Sequence, residues 1–215
     1  MKKLLHKLSF IINHFPFNNR RKISRGGVKV NYNNSILIRC KIICKGKGNK
    51  IEFEKGSLLK NCIFRISGDN NLIKIGQKVR ANNVEFWIED NCNTISIGNN
   101  TSFCGKLHLA CTEGKSITIG KDCLFSSEIV FRTGDSHSII DLSAIRINHA
   151  KDIIIGDHVW IGHRVLVNKG VVVSNNSVVG TGSVVTKIFN DENIIIAGCP
   201  AKIVKNDINW LGKRI

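Results

Sequence analysis

An all-β solenoid, a chain wound as stacked coils of short parallel strands, is the fold class the sequence predicts, and two spacings predict it. From Ile155 an aliphatic residue recurs at every sixth position, at Ile161, Val167, Val173, Val179 and Val185. Upstream, Phe53, Ile75, Ile97 and Ile119 recur every 22 residues, inside IEFEKG, IKIGQK, ISIGNN and ITIGKD. A helix repeats at about 3.6 residues and a flat strand at 2, so neither accounts for these spacings.

Each spacing has a geometric meaning. In the downstream run the next residue is Gly156, Gly162, Asn168, Ser174, Gly180 or Thr186, small or polar every time. One aliphatic side chain per side then points inward, and the small residue turns the corner of a three-sided prism. Three such sides make a coil of 18 residues, and 22 is that coil with four more bulged at a corner. Ten or so residues after each upstream segment comes another alternating run, CIFRI, VEFWI, LHLAC or EIVFR. A coil buries its apolar face only by stacking on neighbours, so the ladder must be continuous. It is expected over residues 36–198, after a basic helix and lead-in at 1–35 and before a C-terminal tail at 199–215.

At the N terminus, residues 3–15 place Leu4, Leu5, Leu8, Ile11, Ile12 and Phe15 on one helical face, ending at Pro16. Lys3, Lys7 and His14 lie opposite. Two roles fit a short amphipathic helix there. It can cover the open end of the solenoid, or residues 1–25 can rest on an anionic membrane surface, with Arg20, Arg21, Lys22 and Arg25 adding charge.

The charge balance narrows the partners. The 215-residue chain has 32 Lys and Arg against 16 Asp and Glu, a net charge of +16. Thirteen of those bases, and no acid, fall before residue 51. The excess therefore belongs to the N-terminal quarter, where only Phe10, Phe15, Phe17 and Tyr32 could stack on bases, and no nucleic-acid partner is expected. No apolar run approaches the roughly 20 residues of a membrane-spanning helix. The eight cysteines show neither Cys-x-x-Cys pairs nor zinc-ligand spacing, and residues 1–15 do not read as a signal peptide. Buried free thiols in a cytoplasmic chain are expected.

Between Ile119 and Ile155 the rhythm breaks at TGDSHSIIDLSAIRINHAKD, a loop of about 132–151. Insertions in a solenoid project from its faces, where chemistry is usually placed. This one gathers Arg132, Asp135, His137, Asp141, Arg146 and His149. Histidine is suited to proton transfer near neutral pH, and spacing alone leaves His137 and His149 both as candidates.

Together, the hexapeptide rows, the TGDSH loop, IIIGDHVWIG, VVGTGSVVTK and AGCPAK resemble the hexapeptide-repeat acyltransferases. The likeness covers roughly residues 50–205 and is greatest to O-acetyltransferases of bacterial surface polysaccharides and sugars. It implies a left-handed parallel β-helix, an exception to the usual right-handed crossover. It also implies that His137 is the general base, taking a proton from a sugar hydroxyl that attacks acetyl-CoA. Asp135 would orient the ring or bind the acceptor, and Trp160 would line the transfer site. His163, Thr181, Thr186 and Lys187 match coenzyme-contacting positions, with Lys202 and Lys205 near the phosphates.

The resemblance further implies a homotrimer with sites between subunits, acetyl-CoA as co-substrate, no metal, and a glycan or sugar acceptor. The setting would be capsule, O-antigen or exopolysaccharide synthesis, in the cytoplasm or at the inner membrane face. The chain departs from the pattern at His163, where a small residue is usual, and at Lys106, where the sugar enzymes carry Asn. Three alternatives stand beside this reading. One is a xenobiotic acetyltransferase sharing His137. Another is a γ-type carbonic anhydrase using His137, His158 and His163, although Asn168 replaces that family's second histidine. The third is a basic scaffold without catalysis.

Overall fold

Turning a chain through three corners per coil lets each strand pair with the strand one coil earlier, and the computed structural model, which describes residues 9–15 and 18–215, is built this way. Among the described residues, three sheets of eight, seven and nine strands form faces A, B and C of a prism, parallel except for one strand at the C-terminal edge. The result is a left-handed β-helix of about eight turns.

The two rhythms prove to be one column. Phe53 lies opposite Ile75, Ile75 opposite Ile97, and Ile97 opposite Ile119. Ile119 then pairs with Ile155, and Ile155 with Val173, so the register runs unbroken across the loop. All six side chains are buried. Aromatic pairs fill the wider coils: Phe64 stacks on Phe86 at 4.8 Å, and Phe103 lies 4.8 Å from Phe125.

The four extra residues of the upstream coils lengthen face A and the corner between faces A and B. Strands such as Lys41–Lys45, Ile63–Ser67 and Val84–Glu89 replace the two-residue strands seen downstream, such as Leu166–Val167. Peptide groups freed by a corner need partners. Buried Asn49, Asn71 and Asn93 supply them, each Oδ1 accepting a backbone N–H one coil on, from Asn71 (2.9 Å), Asn93 (2.8 Å) and Lys115 (3.1 Å). At the corner between faces B and C, hydroxyls do the same: Ser35 accepts from Ser57 N, Ser57 from Val79 N, and Thr101 from Cys123 N.

The ends differ from the sequence reading in detail. Coiling already begins at Arg20–Ile23 and Val28–Asn31, inside the stretch read as lead-in. Those strands bury little, so no apolar rhythm marks them. Residues 9–14 are helical, but the side chains they bury are polar. Ser9 donates to Ser35 O (2.7 Å), and Asn13 donates to Ser35 O (2.8 Å) while accepting from Leu37 N (2.8 Å). Phe10, Ile11 and Phe15 stay exposed; Leu4, Leu5 and Leu8 lie outside the described residues. No helix among the described residues is long and apolar enough to cross a membrane.

At the other end Ala201–Lys205 folds back antiparallel on Ile195–Gly198. Beyond it Trp210 lies flat on His158 at 4.2 Å and donates its indole N–H to His158 O (2.8 Å). All eight cysteines are free. Cys92, Cys104 and Cys199 are exposed rather than buried, because they fall at turns and outward positions.

Candidate active site

The interrupting loop leaves face A after Ile129–Arg132 and rejoins face B at Ile153–Ile155, so it projects from the corner between faces A and B. Its tip is a small hairpin. Ile147 N donates to Ile139 O and Asp141 N to Ile145 O, both at 2.9 Å, while the Asp141 carboxylate receives the amides of Ser143 and Ile145. Ile139, Ile140, Leu142, Ile145 and Ile147 all point outward and are exposed.

The base of the loop is fastened by Asn148, which is buried. Its Nδ2 donates to His137 O (2.7 Å) and Asp135 Oδ2 (2.9 Å), and its Oδ1 accepts from Ile139 N (2.8 Å) and Arg146 Nε (3.2 Å). Lys169, from the next coil, donates to the Asp135 carboxylate and to Asn148 O. Hydrogen bonding from Lys169 above all, and from Asn148, holds the Asp135 carboxyl below its ordinary pKa against an opposing effect of burial. Arg146 reaches Glu113 at 2.5 Å and lowers that carboxyl in the same way; Glu113 also accepts from Ala150 N. His137 is bound through its backbone, its N–H donating to Asp135 O (2.8 Å), and its side chain is exposed. The Asp135 carboxylate is thus occupied by Lys169 and Asn148, not by the His137 ring.

Beside the loop, face A carries a pocket of about 190 Å³. Ala110, Thr112 and Gly134 line it with small side chains, and Trp87, His108 and Arg132 with larger ones. Ser136, next to His137 in the chain, also lines it. Trp87 is steadied by the Arg65 guanidinium 4.8 Å above its ring and by His108 at 5.8 Å. Glu85 ties both neighbours, to Arg65 at 3.5 Å and to His108 at 3.1 Å.

The remaining sequence candidates fall elsewhere on the prism. Trp160 stands on face C, 41% exposed, 6.2 Å from Trp210. His163 follows at the corner between faces C and A, its Nδ1 bonded to Ser127 Oγ (2.9 Å), with Thr181 one coil further along that corner. Lys202 and Lys205 are exposed on the strand that closes face C. Thr186 and Lys187 instead follow Val184–Val185 to the corner of the interrupting loop, where the Lys187 ammonium sits 5.3 Å over Phe189. One chain therefore presents two sets: His137, Thr186 and Lys187 at one corner, and Trp160, His163, Thr181, Lys202 and Lys205 on or beside the face opposite. His137, His158 and His163 do not converge, and no group of three His, Cys, Asp or Glu among the described residues could hold a metal ion.

Sequence reasoning missed Asn148, Lys169 and the Trp87 pocket. A faint signal existed for the last: Arg65 and Trp87 are 22 residues apart and adjacent in register, so the outward column was as readable as the inward one.

No protein-family model matches the chain. It is 35% identical over 187 residues to the polysialic acid O-acetyltransferase of Neisseria meningitidis, covering 77% of this chain and 87% of the relative. The chain belongs to the hexapeptide-repeat O-acetyltransferases. The polysialic acid O-acetyltransferase of Escherichia coli O1:K1 / APEC is 48% identical over 100 residues, 46% of this chain and 32% of that protein. The crystal structure of the polySia-specific acetyltransferase NeuO superposes with a TM-score of 0.74 at 30% identity, covering 91% of this chain and 86% of that one. As an O-acetyltransferase of this family the chain is an acyltransferase acting on a sugar hydroxyl, as the sequence led one to expect.

Proposed function

We propose that this O-acetyltransferase transfers acetyl from acetyl-CoA to a hydroxyl of polysialic acid or a closely related acidic capsule glycan, at sites formed between copies of a homotrimer. The relatives' names support the acceptor. The separation of the two residue sets supports the shared site. His137 stands at the corner opposite face C, so it meets a Trp160 only when another copy brings its face C against that corner. The same approach joins Thr186 and Lys187 of one copy to Lys202 and Lys205 of the next, around one coenzyme. Five exposed apolar side chains on the loop hairpin offer the contact surface such an approach needs.

In this arrangement His137 takes the proton from the acceptor hydroxyl as its oxygen attacks the thioester carbonyl, and returns it to the departing thiolate. The thioester is already activated, so the chain has only to position, deprotonate and exclude water. Asp135 acts through the backbone, fixing the loop that carries His137. The lysines meet phosphates as point charges. The reaction belongs in the cytoplasm, with the basic N-terminal residues 1–25 resting on the inner membrane face.

His137→Ala is expected to lose about two orders of magnitude or more in acetyl transfer while still binding acetyl-CoA. Trp160→Ala is expected to be inactive as well, and co-expression of the two variants should restore activity through mixed trimers. Full activity in His137→Ala, or failure of the mixed trimers to recover any, refutes the reading.

A further inference from the structure

We propose that the pocket on face A is the subsite that recognises the carboxylate of an acidic sugar, with Arg132 as the residue that reads it; this rests on the acceptor assigned above. Arg132 ends the strand Ile129–Arg132 and is exposed at the pocket wall. Other arginines are engaged: Arg146 by Glu113 at 2.5 Å, Arg65 by Glu85 at 3.5 Å and Arg164 by Glu128 at 2.9 Å. The Arg132 side chain has no ion pair or hydrogen bond among the described residues. A guanidinium left free in a pocket wall offers a planar fork matched to a carboxylate.

A free arginine alone would fit ordinary solvation, so the second observation matters more. Thr112 is 9% exposed and lines the same pocket, and its Oγ1 is buried with no hydrogen-bond partner. Buried polar atoms are nearly always paired, and an orphan beside a cavity calls for a partner from the occupant. Gly134 packs directly against that oxygen, a Cβ there lying 2.6 Å from Thr112 Oγ1, so only the glycine stands between it and the pocket both residues line.

The rest of the wall has the chemistry of a sugar site. Trp87 presents an indole held in place by Arg65 and His108, a flat apolar surface for one face of a pyranose. Glu89, two residues beyond Trp87, also lines the pocket and gives it an acidic end for hydroxyls, which leaves the carboxylate to Arg132. Ser136 joins the pocket to the loop, so a sugar unit bound here lies beside His137. Past His108 and Arg132 a second hollow of about 470 Å³, with Asn61, Asn83 and Lys106, continues across face A and accommodates a further unit of a chain.

The test compares two acceptors on the full chain: an oligomer of sialic acid, and the same oligomer with its carboxyl groups reduced to alcohols. The wild type should favour the acidic oligomer in kcat/KM. Arg132→Gln should cut that preference by about tenfold to a hundredfold, through KM on the acidic acceptor, and Arg132→Lys should keep part of it. Thr112→Val, close to isosteric, should raise KM for the acidic oligomer severalfold. An unchanged preference in Arg132→Gln, or equal losses on both acceptors, overturns the assignment. A wild type that binds acetyl-CoA yet acetylates neither oligomer overturns the acceptor reading itself, and the Arg132 assignment with it.

Discussion

Replacing Asn148 by alanine tests how the loop that carries His137 is held. The amide makes four hydrogen bonds, two of them to charged groups, the Asp135 carboxylate and the Arg146 guanidinium, which each keep another partner in Lys169 and Glu113. A neutral bond contributes about 1 kcal/mol net and one to a charged group about 1.5–3. Ile139 is exposed, so its amide finds water once Asn148 is lost, and that bond counts for little. A net loss of about 3 kcal/mol in the closed loop follows, or about two decades in the population of the geometry that His137 needs. The solenoid below is untouched, because both register columns beneath the loop pair without it. The assay is acetyl transfer with saturating acetyl-CoA, beside amide hydrogen exchange over residues 135–150. The expected result is kcat down about a hundredfold with faster exchange confined to the loop, and acetyl-CoA affinity within about threefold of wild type. Asn148→Ala enzyme within threefold of wild-type kcat would show that the loop does not depend on this clasp.

Gly134→Ala puts a methyl 2.6 Å from Thr112 Oγ1 and 3.4 Å from Ala150 Cβ, so it should lower stability by about 1–3 kcal/mol, read by urea melts. A silent Gly134→Ala would mean that the loop yields freely there. Asp135 and Glu113 both have carboxyl pKa values depressed in the fold, chiefly by Lys169 and Arg146 respectively. Such groups contribute stability above their unfolded pKa of about 4 and lose it as pH falls through the folded value. Loop opening, read as amide exchange corrected for the intrinsic rate at each pH, should therefore be rare at neutral pH and rise in acid, below about pH 4. The double variant Asp135→Asn, Glu113→Gln should flatten that rise; a profile unchanged in the double variant would assign it to other carboxylates.

The inward column of the solenoid was readable because burial forces an aliphatic residue at each repeat, from Phe53 through Val185, whatever the corner between them does. His137 was set apart from His149 only through its motif, since the residues alone left the two equal. Asn148 was invisible for a physical reason: its partners are a carbonyl, an amide and two side chains fixed by the loop's own path, and no period relates them. Lys169 and Lys187 mark one corner at an 18-residue spacing, yet only the fold shows that this corner faces away from Trp160. The contacts of the helical segment were hidden for the opposite reason. Its apolar stripe drew attention to Ile11 and Phe15, while the docking is done by Ser9 and Asn13, whose side chains match peptide groups on the first strand of face C.

That docking has a consequence for the molecule's behaviour in bulk. A coil end is a template: its free peptide groups would accept another coil, including one from a second molecule, and repetition of that step grows a fibre. On face C the position of the missing preceding coil is taken by Asn13, Asn18 and Asn19, whose amides bind Leu37, Arg39 and Cys40 in place of a strand. Three asparagines thus act as a counterfeit strand, which satisfies the edge without offering one in return. They close face C at this end.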